Sequence, residues 1–99
     1  MWLWNNYPAT RTLCFSVPNG GLREAREARR MKLEGLVPGV SDLIFLWDGK
    51  AYLIEMKTPK GVQRQVQKDW QRKVEENGFN YYLCRSLNDF KAIILSIIQ

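Results

Sequence analysis

Asp42, Glu55 and Lys57 are the residues of this chain whose types and spacing could do chemistry. Asp42 closes the run Gly39-Val40-Ser41-Asp42, and Glu55 opens Glu55-Met56-Lys57. Between them Asp42 to Trp47 reads as a buried strand, Asp48-Gly49 as a two-residue hairpin turn, and Ala51 to Lys57 as the returning strand. Counting outward from the turn pairs Trp47 with Lys50, Leu46 with Ala51, Ile44 with Leu53 and Asp42 with Glu55. Opposed cross-strand side chains have Cβ atoms about 4.5–5.5 Å apart, where two like charges repel unless something positive lies between them. Side chains alternate faces along a strand, so Glu55 and Lys57 share the face of Asp42. The neighbouring Leu43, Ile44, Phe45, Leu46, Leu53 and Ile54 make that face costly for charge unless an ion is bound. Hard cations take carboxylate oxygen, and Mg²⁺ is usually held by one or two carboxylates plus waters and substrate phosphate. The expected guest is therefore Mg²⁺ or Mn²⁺. The expected chemistry is metal-assisted phosphodiester hydrolysis, with the pKa of water lowered toward about 7 and Lys57 holding that water in line.

The elements that must position this trio follow from periodicity. Thr12 to Val17 reads as a short strand stopped by Pro18-Asn19-Gly20-Gly21. Leu22 to Glu34 reads as a helix with Leu22, Ala25, Ala28 and Met31 in an apolar stripe, ended by Gly35. Its remaining faces mix Arg23, Arg26, Arg29, Arg30 and Lys32 with Glu24, Glu27 and Glu34, a pattern that suits a solvated helix with ion pairs as well as a DNA-contact face. Arg23, beside the Gly-Gly turn, is its best candidate for nucleic-acid contact. After the hairpin, Thr58-Pro59-Lys60-Gly61 reads as a loop and Val62 to Asn77 as a second helix, with Val62, Val66, Trp70 and Val74 on its buried face. Gly78 caps that helix. Gln63, Gln67 and Gln71 form a neighbouring polar stripe, from which one glutamine could lie beside the metal site. Tyr81 to Arg85 reads as a further strand. Ser86, with Asp89 three residues on, starts a last helix whose apolar face is Phe90, Ile93, Ile94, Ile97 and Ile98. The order strand, helix, strand, strand, helix, strand, helix predicts an α/β domain with a mixed central sheet flanked by helices, and residues 1–99 read as a single domain.

Composition narrows the functional classes. The chain of 99 residues carries 15 Lys plus Arg against 10 Asp plus Glu, a net charge of +5, which favours polyanionic partners. The excess follows the acidic pair directly: Lys57, Lys60, Arg64, Lys68, Arg72 and Lys73 are opposed in that segment by Asp69 alone. Lys60, Arg64 and Lys68 are the expected phosphate contacts. There is no histidine, which removes Ser-His-Asp and Cys-His catalysis and His-ligated zinc. Cys14 and Cys84 each lie in an apolar run, where a reduced, packed thiol is the ordinary state. The apolar runs fall far short of the roughly 20 residues that span a bilayer, and the amino terminus lacks a signal-peptide layout, so the sequence reads as a cytoplasmic chain with no membrane partner.

The motifs Pro18-Asn19-Gly20-Gly21-Leu22-Arg23, Gly35-Leu36-Val37-Pro38-Gly39-Val40-Ser41-Asp42, Ile54-Glu55-Met56-Lys57 and Gln67-Lys68-Asp69-Trp70 stand in that order along nearly the whole chain. They resemble the PD-(D/E)XK nuclease superfamily and, within it, the virus-type replication-repair nuclease (VRR-NUC) domain. The resemblance implies a restriction-endonuclease-like α/β core and hydrolysis of DNA phosphodiesters. It also implies that Asp42 and Glu55 bind the metal, the Met56 carbonyl completes the shell, Lys57 orients or deprotonates the attacking water, and Gln67 supports the site. Small standalone members, typical of bacteria and phages, resemble Holliday junction resolvases that act on four-way junctions as homodimers. Larger relatives embed the domain in nucleases of flap, branched or crosslinked DNA, and a non-catalytic nucleic-acid-binding module on the same fold is the rival from another class. Family members commonly begin with a helix bearing a further glutamate near the metals. Here no acid precedes Glu24, so the expectation is at least one cation, with a second left open.

Overall fold

Asp48 and Gly49 both adopt left-handed backbone conformations, with φ of 51° and 74°, and this fixes the hairpin on which the fold is built. Such a turn matches the right-handed twist of its strands, and the pair Asp-Gly supplies it at little steric cost. In this computed structural model, which describes residues 1–17 and 37–99, the turn joins β2 (Leu43–Trp47) to β3 (Lys50–Met56). The register is the one expected from the turn: Trp47 pairs with Lys50, Leu46 with Ala51, Ile44 with Leu53 and Leu43 with Ile54. Among the described residues the sheet has the order β1-β2-β3-β4, with β1 (Cys14–Ser16) antiparallel to β2 and β4 (Asn80–Cys84) parallel to β3. The flanking elements are α1 (Trp2–Asn6), a 3₁₀ turn (Pro8–Thr10), α2 (Gln65–Glu76) and α3 (Leu87–Ile98).

The two faces of the sheet do different work. Phe45, Tyr52, Ile54 and Cys84 project to one face and pack with Leu3 of α1 and Phe90 and Ile94 of α3 to form the core. Ile93, Ile97 and Ile98 pack against that core too, so the apolar face read from the last helix is the one used. Ser86 accepts from the Asp89 N–H at 3.1 Å, and the Asp89 carboxylate reaches back to the Arg85 N–H at 2.9 Å. The cap is thus a capping box displaced by one residue on its return arm. The other face of the sheet carries Ile44, Leu53, Glu55 and Tyr81, and α2 lies over it.

Three sequence expectations change here. β1 is shorter than Thr12 to Val17, because Thr12 turns the chain with a φ of 67°; backbone bonds from Leu46 to Leu13 and from Val17 to Asp42, both 2.8 Å, extend the pairing past its ends. The second helix begins at Gln65 rather than Val62, since Arg64 is still extended at its amino-terminal boundary. The stripe of Val62, Val66, Trp70 and Val74 is only partly the buried face: Trp70, edge-on against Tyr81, and Val74 are half-buried, while the other two are exposed. Val62 is 75% exposed and Val66 41%, whereas Gln67 is 4% exposed. The helix rests on a buried carboxylate, so the face it offers the sheet must include a hydrogen-bond donor. The turn at Pro18 to Gly21, the helix Leu22 to Glu34 and the expected contact residue Arg23 lie outside the described residues. Both thiols are free, with Cys84 buried.

Gly39 sets the distance between α2 and the strand that carries Asp42. Its φ is 84°, and a Cβ there would collide with the Val66 carbonyl on α2. Gly39→Ala is expected to cost on the order of 2–4 kcal/mol, from left-handed strain plus displaced backbone. Gly49→Ala, where an added methyl meets open space, is expected to cost only about 1 kcal/mol. Thermal melts of the two variants check this, and a Gly39→Ala protein melting with the wild type would refute the close approach.

Candidate active site

Asp42 lies one residue beyond the β2–β3 ladder, at the position that faces Glu55 if the register continues. Its entry is fixed locally: the buried Ser41 hydroxyl donates to the Leu43 carbonyl at 3.1 Å. The Asp42 carboxylate then accepts the Met56 N–H at 2.8 Å, which brings it against the backbone joining Glu55 to Lys57. Glu55 is 1% exposed, an unusual position for a carboxylate. One oxygen, Oε2, accepts from Gln67 Nε2 at 2.9 Å. The other, Oε1, is buried without a hydrogen-bond partner among the described residues. Burial first, and then the Asp42 carboxyl alongside, push Glu55 up from 4.5 to about 7, while the nearby Lys57 ammonium pulls it back. Asp42 and Lys57 are therefore each close enough to Glu55 to act on its charge.

Gln67 is oriented as well as present. Its Oε1 accepts the Arg64 N–H at 2.7 Å, so the amide is held from the helix terminus and its Nε2 is aimed at Glu55. This choice among three glutamines could not be made from spacing alone. Gln63 and Gln71 instead bond to each other at 3.0 Å, and Gln63 Nε2 also donates to the Tyr81 hydroxyl at 3.1 Å. Tyr81 was not anticipated at the site. It is buried, packs edge-on against Trp70, and burial together with the charge of Glu55 pushes it up to about 12. The signal that could have found it is parity, since Tyr81 pairs with Leu53 and so shares the face of Glu55. Parity needs the β3–β4 register, which no turn encodes.

Lys60, Arg64 and Lys68 are all exposed, on the loop before α2 and on its first turns. Arg72, further along, is paired with Asp69 at 3.4 Å on the surface. At the far end of the sheet a hollow of about 650 Å³ opens beside the hairpin turn, lined by Leu46, Trp47 and Phe79 among others. Its lining holds no pair of acids, so the acidic pair lies elsewhere. α1 carries no acidic residue.

The donor set fits a hard divalent cation. A buried carboxylate with one unmatched oxygen lies beside a second carboxylate from the adjacent strand, in an otherwise apolar sheet, and a cation relieves both the repulsion and the vacancy in hydrogen bonding. Among the described residues no group of three or more His, Cys, Asp or Glu side chains gathers; the carboxylates they bring to this site are Asp42 and Glu55, a number that suits a cation completed by other oxygen ligands.

The VRR-NUC domain model matches residues 3–88. The chain belongs to the VRR-NUC family. A solved VRR-NUC domain protein superposes with a TM-score of 0.70, covering 87% of this chain and 67% of its own, at 20% sequence identity; that likeness is one of fold. No curated protein matches the chain. VRR-NUC membership implies nuclease activity of the PD-(D/E)XK type and with it DNA binding, and nucleases of this superfamily generally use divalent metals. Among the described residues no helix is long and apolar enough to cross a membrane.

Proposed function

We propose that this VRR-NUC domain is a Mg²⁺- or Mn²⁺-dependent endodeoxyribonuclease, and that it resolves four-way DNA junctions as a homodimer. The observation that carries the catalytic reading is the buried Glu55 carboxylate, unmatched at Oε1, with the Asp42 carboxyl beside it and the Lys57 charge near enough to act on it. Asp42, Glu55 and the Met56 carbonyl would hold the cation, which when bound supplies Lewis-acid polarisation of the scissile phosphate and hydroxide near neutral pH. Asp42 is kept in place by the Met56 N–H, and Glu55 by Gln67. Lys57 holds the attacking water in line and stabilises the charge that develops on the phosphorane. Lys60, Arg64 and Lys68 bind phosphates, so recognition is of backbone shape rather than base sequence.

Dimerisation rests on symmetry: one domain holds one site, and resolving a junction takes two cuts related by a two-fold axis. The apolar terminal residues divide between core and surface. Leu3 and Ile94 are buried, whereas Trp4 is 44% and Leu87 57% exposed, which leaves these two as the candidates for an interface. Sedimentation at micromolar concentration, with cleavage of labelled duplex, flap, fork and four-way junction DNA in Mn²⁺ or Mg²⁺, tests the proposal. The expected result is a dimer that cuts junctions at least about tenfold faster than linear duplex, the two cuts being coupled by symmetry. A monomer that nicks both alike would refute resolution while leaving the nuclease reading intact, and a preference for flaps would move the substrate to branched repair intermediates.

A further inference from the structure

The parallel pairing of β3 with β4 continues one step past the strands, with the Lys57 N–H donating to the Cys84 carbonyl at 2.8 Å, and this places Arg85 beside Lys57. Beyond Lys57 the chain reverses through Thr58-Pro59-Lys60-Gly61, a turn closed by the Gly61 N–H on the Thr58 carbonyl at 3.0 Å. The carbonyls of this turn converge on one group. Arg85 Nη1 lies 3.0 Å from the Thr58 oxygen, 3.4 Å from that of Pro59 and 2.6 Å from that of Gly61. The Arg85 backbone is itself anchored to α3 through the Asp89 carboxylate. Charge-assisted hydrogen bonds of this kind are roughly twice as strong as neutral ones.

The position of that turn is what gives the contact a function. It joins Lys57 to the Arg64 N–H that orients Gln67, so both ends of the segment carry groups that act on Glu55. It also carries Lys60. We infer that Arg85 is a positioning residue for phosphodiester cleavage: it clamps the 58–61 turn from the end of β4 and so sets Lys57 and Gln67 around Glu55, without contacting DNA itself. The inference rests on the nuclease reading above. A guanidinium spent on three backbone carbonyls differs from the exposed basic residues nearby, which face solvent and can meet phosphates.

Arg85→Met, compared with wild type on the same junction and duplex substrates, tests it. The expected result is a kcat lowered about 10- to 100-fold, the size of effect that a small misplacement of reacting groups produces, with KM and the salt dependence of DNA binding unchanged. Arg85→Lys, which restores a cation within reach of the carbonyls, is expected to recover most of the loss. Lys60→Met gives the contrasting signature, a salt slope smaller by about one. Wild-type kcat in Arg85→Met, or a salt slope reduced as in Lys60→Met, would overturn the proposal, the second outcome making Arg85 a phosphate contact. Should Arg85→Met fail to fold, Pro59→Gly loosens the same turn with Arg85 in place: a lower kcat at unchanged salt slope supports the clamp, and wild-type kcat overturns it. Should the wild-type protein cleave no DNA, the nuclease reading itself has failed. The clamp is then judged by amide exchange at Gly61, which it predicts to be at least about tenfold faster in Arg85→Met because a protecting bond opens; unchanged exchange would overturn it.

Discussion

Asp42→Ala, Glu55→Ala and Lys57→Ala are each expected to lower single-turnover cleavage by about three orders of magnitude or more, while DNA affinity stays within about threefold of wild type, because groups that act as a unit fail together. The carboxylates are expected to contribute little to affinity, because they repel phosphate and, in the function proposed above, binding comes from the exposed basic residues of the 58–68 segment. Glu55→Gln gives a sharper version of the same test. It keeps the shape of the side chain and an acceptor for Gln67 Nε2 but removes a charge from a position only 1% exposed, beside Asp42. A variant that melts at higher temperature than wild type at pH 8 in chelator, and cleaves nothing, would show that the charge is retained for chemistry at a cost in stability. Near-wild-type turnover in either carboxylate variant would sink the site.

Removal of divalent metal is the second large effect. Cleavage should vanish in excess EDTA and return with Mg²⁺ or Mn²⁺, since among the side chains at this site no other group can generate hydroxide at neutral pH. The proton linkage of Glu55 adds a readout that does not depend on activity. Its folded-state pKa is raised from 4.5 to about 7, mainly by burial and then by Asp42, so its contribution to stability is fully present below about pH 4.5 and is lost as the pH rises through 7. In chelator the protein should melt lower at pH 8 than at pH 5, by on the order of 5 °C or more. Added Mg²⁺ or Mn²⁺ should recover much of that difference at pH 8 and little at pH 5, where protons compete for the same oxygens. Cleavage persisting in EDTA, or a melting temperature at pH 8 indifferent to metal, would exclude a cation between Asp42 and Glu55.

The β2–β3 hairpin was legible in the sequence because its information is local. Asp48-Gly49 dictates a left-handed two-residue turn, the turn dictates the register, and the strict two-residue alternation of a strand then places Asp42, Glu55 and Lys57 on one face. The last helix was legible for a similar reason, its isoleucine periodicity and Ser86 cap being contained within its own residues. What the sequence alone did not determine is everything that depends on a contact between distant segments. The buried face of α2 was read only in part, because a four-residue apolar period is a weak guide when the surface beneath the helix is a carboxylate: Trp70 and Val74 do turn inward, but only the docked helix shows that Gln67 faces inward and Val66 outward. Tyr81 enters the site through the register of a parallel pair whose strands are joined by a whole helix, and no turn residue records that register. Arg85 read as the last residue of a strand, and its contact with the 58–61 carbonyls exists only once β3 and β4 end side by side. Local chain geometry determined which residues share a face, and tertiary packing decided which neighbours orient them, because hydrogen bonds between segments far apart in sequence leave no periodic trace in either one.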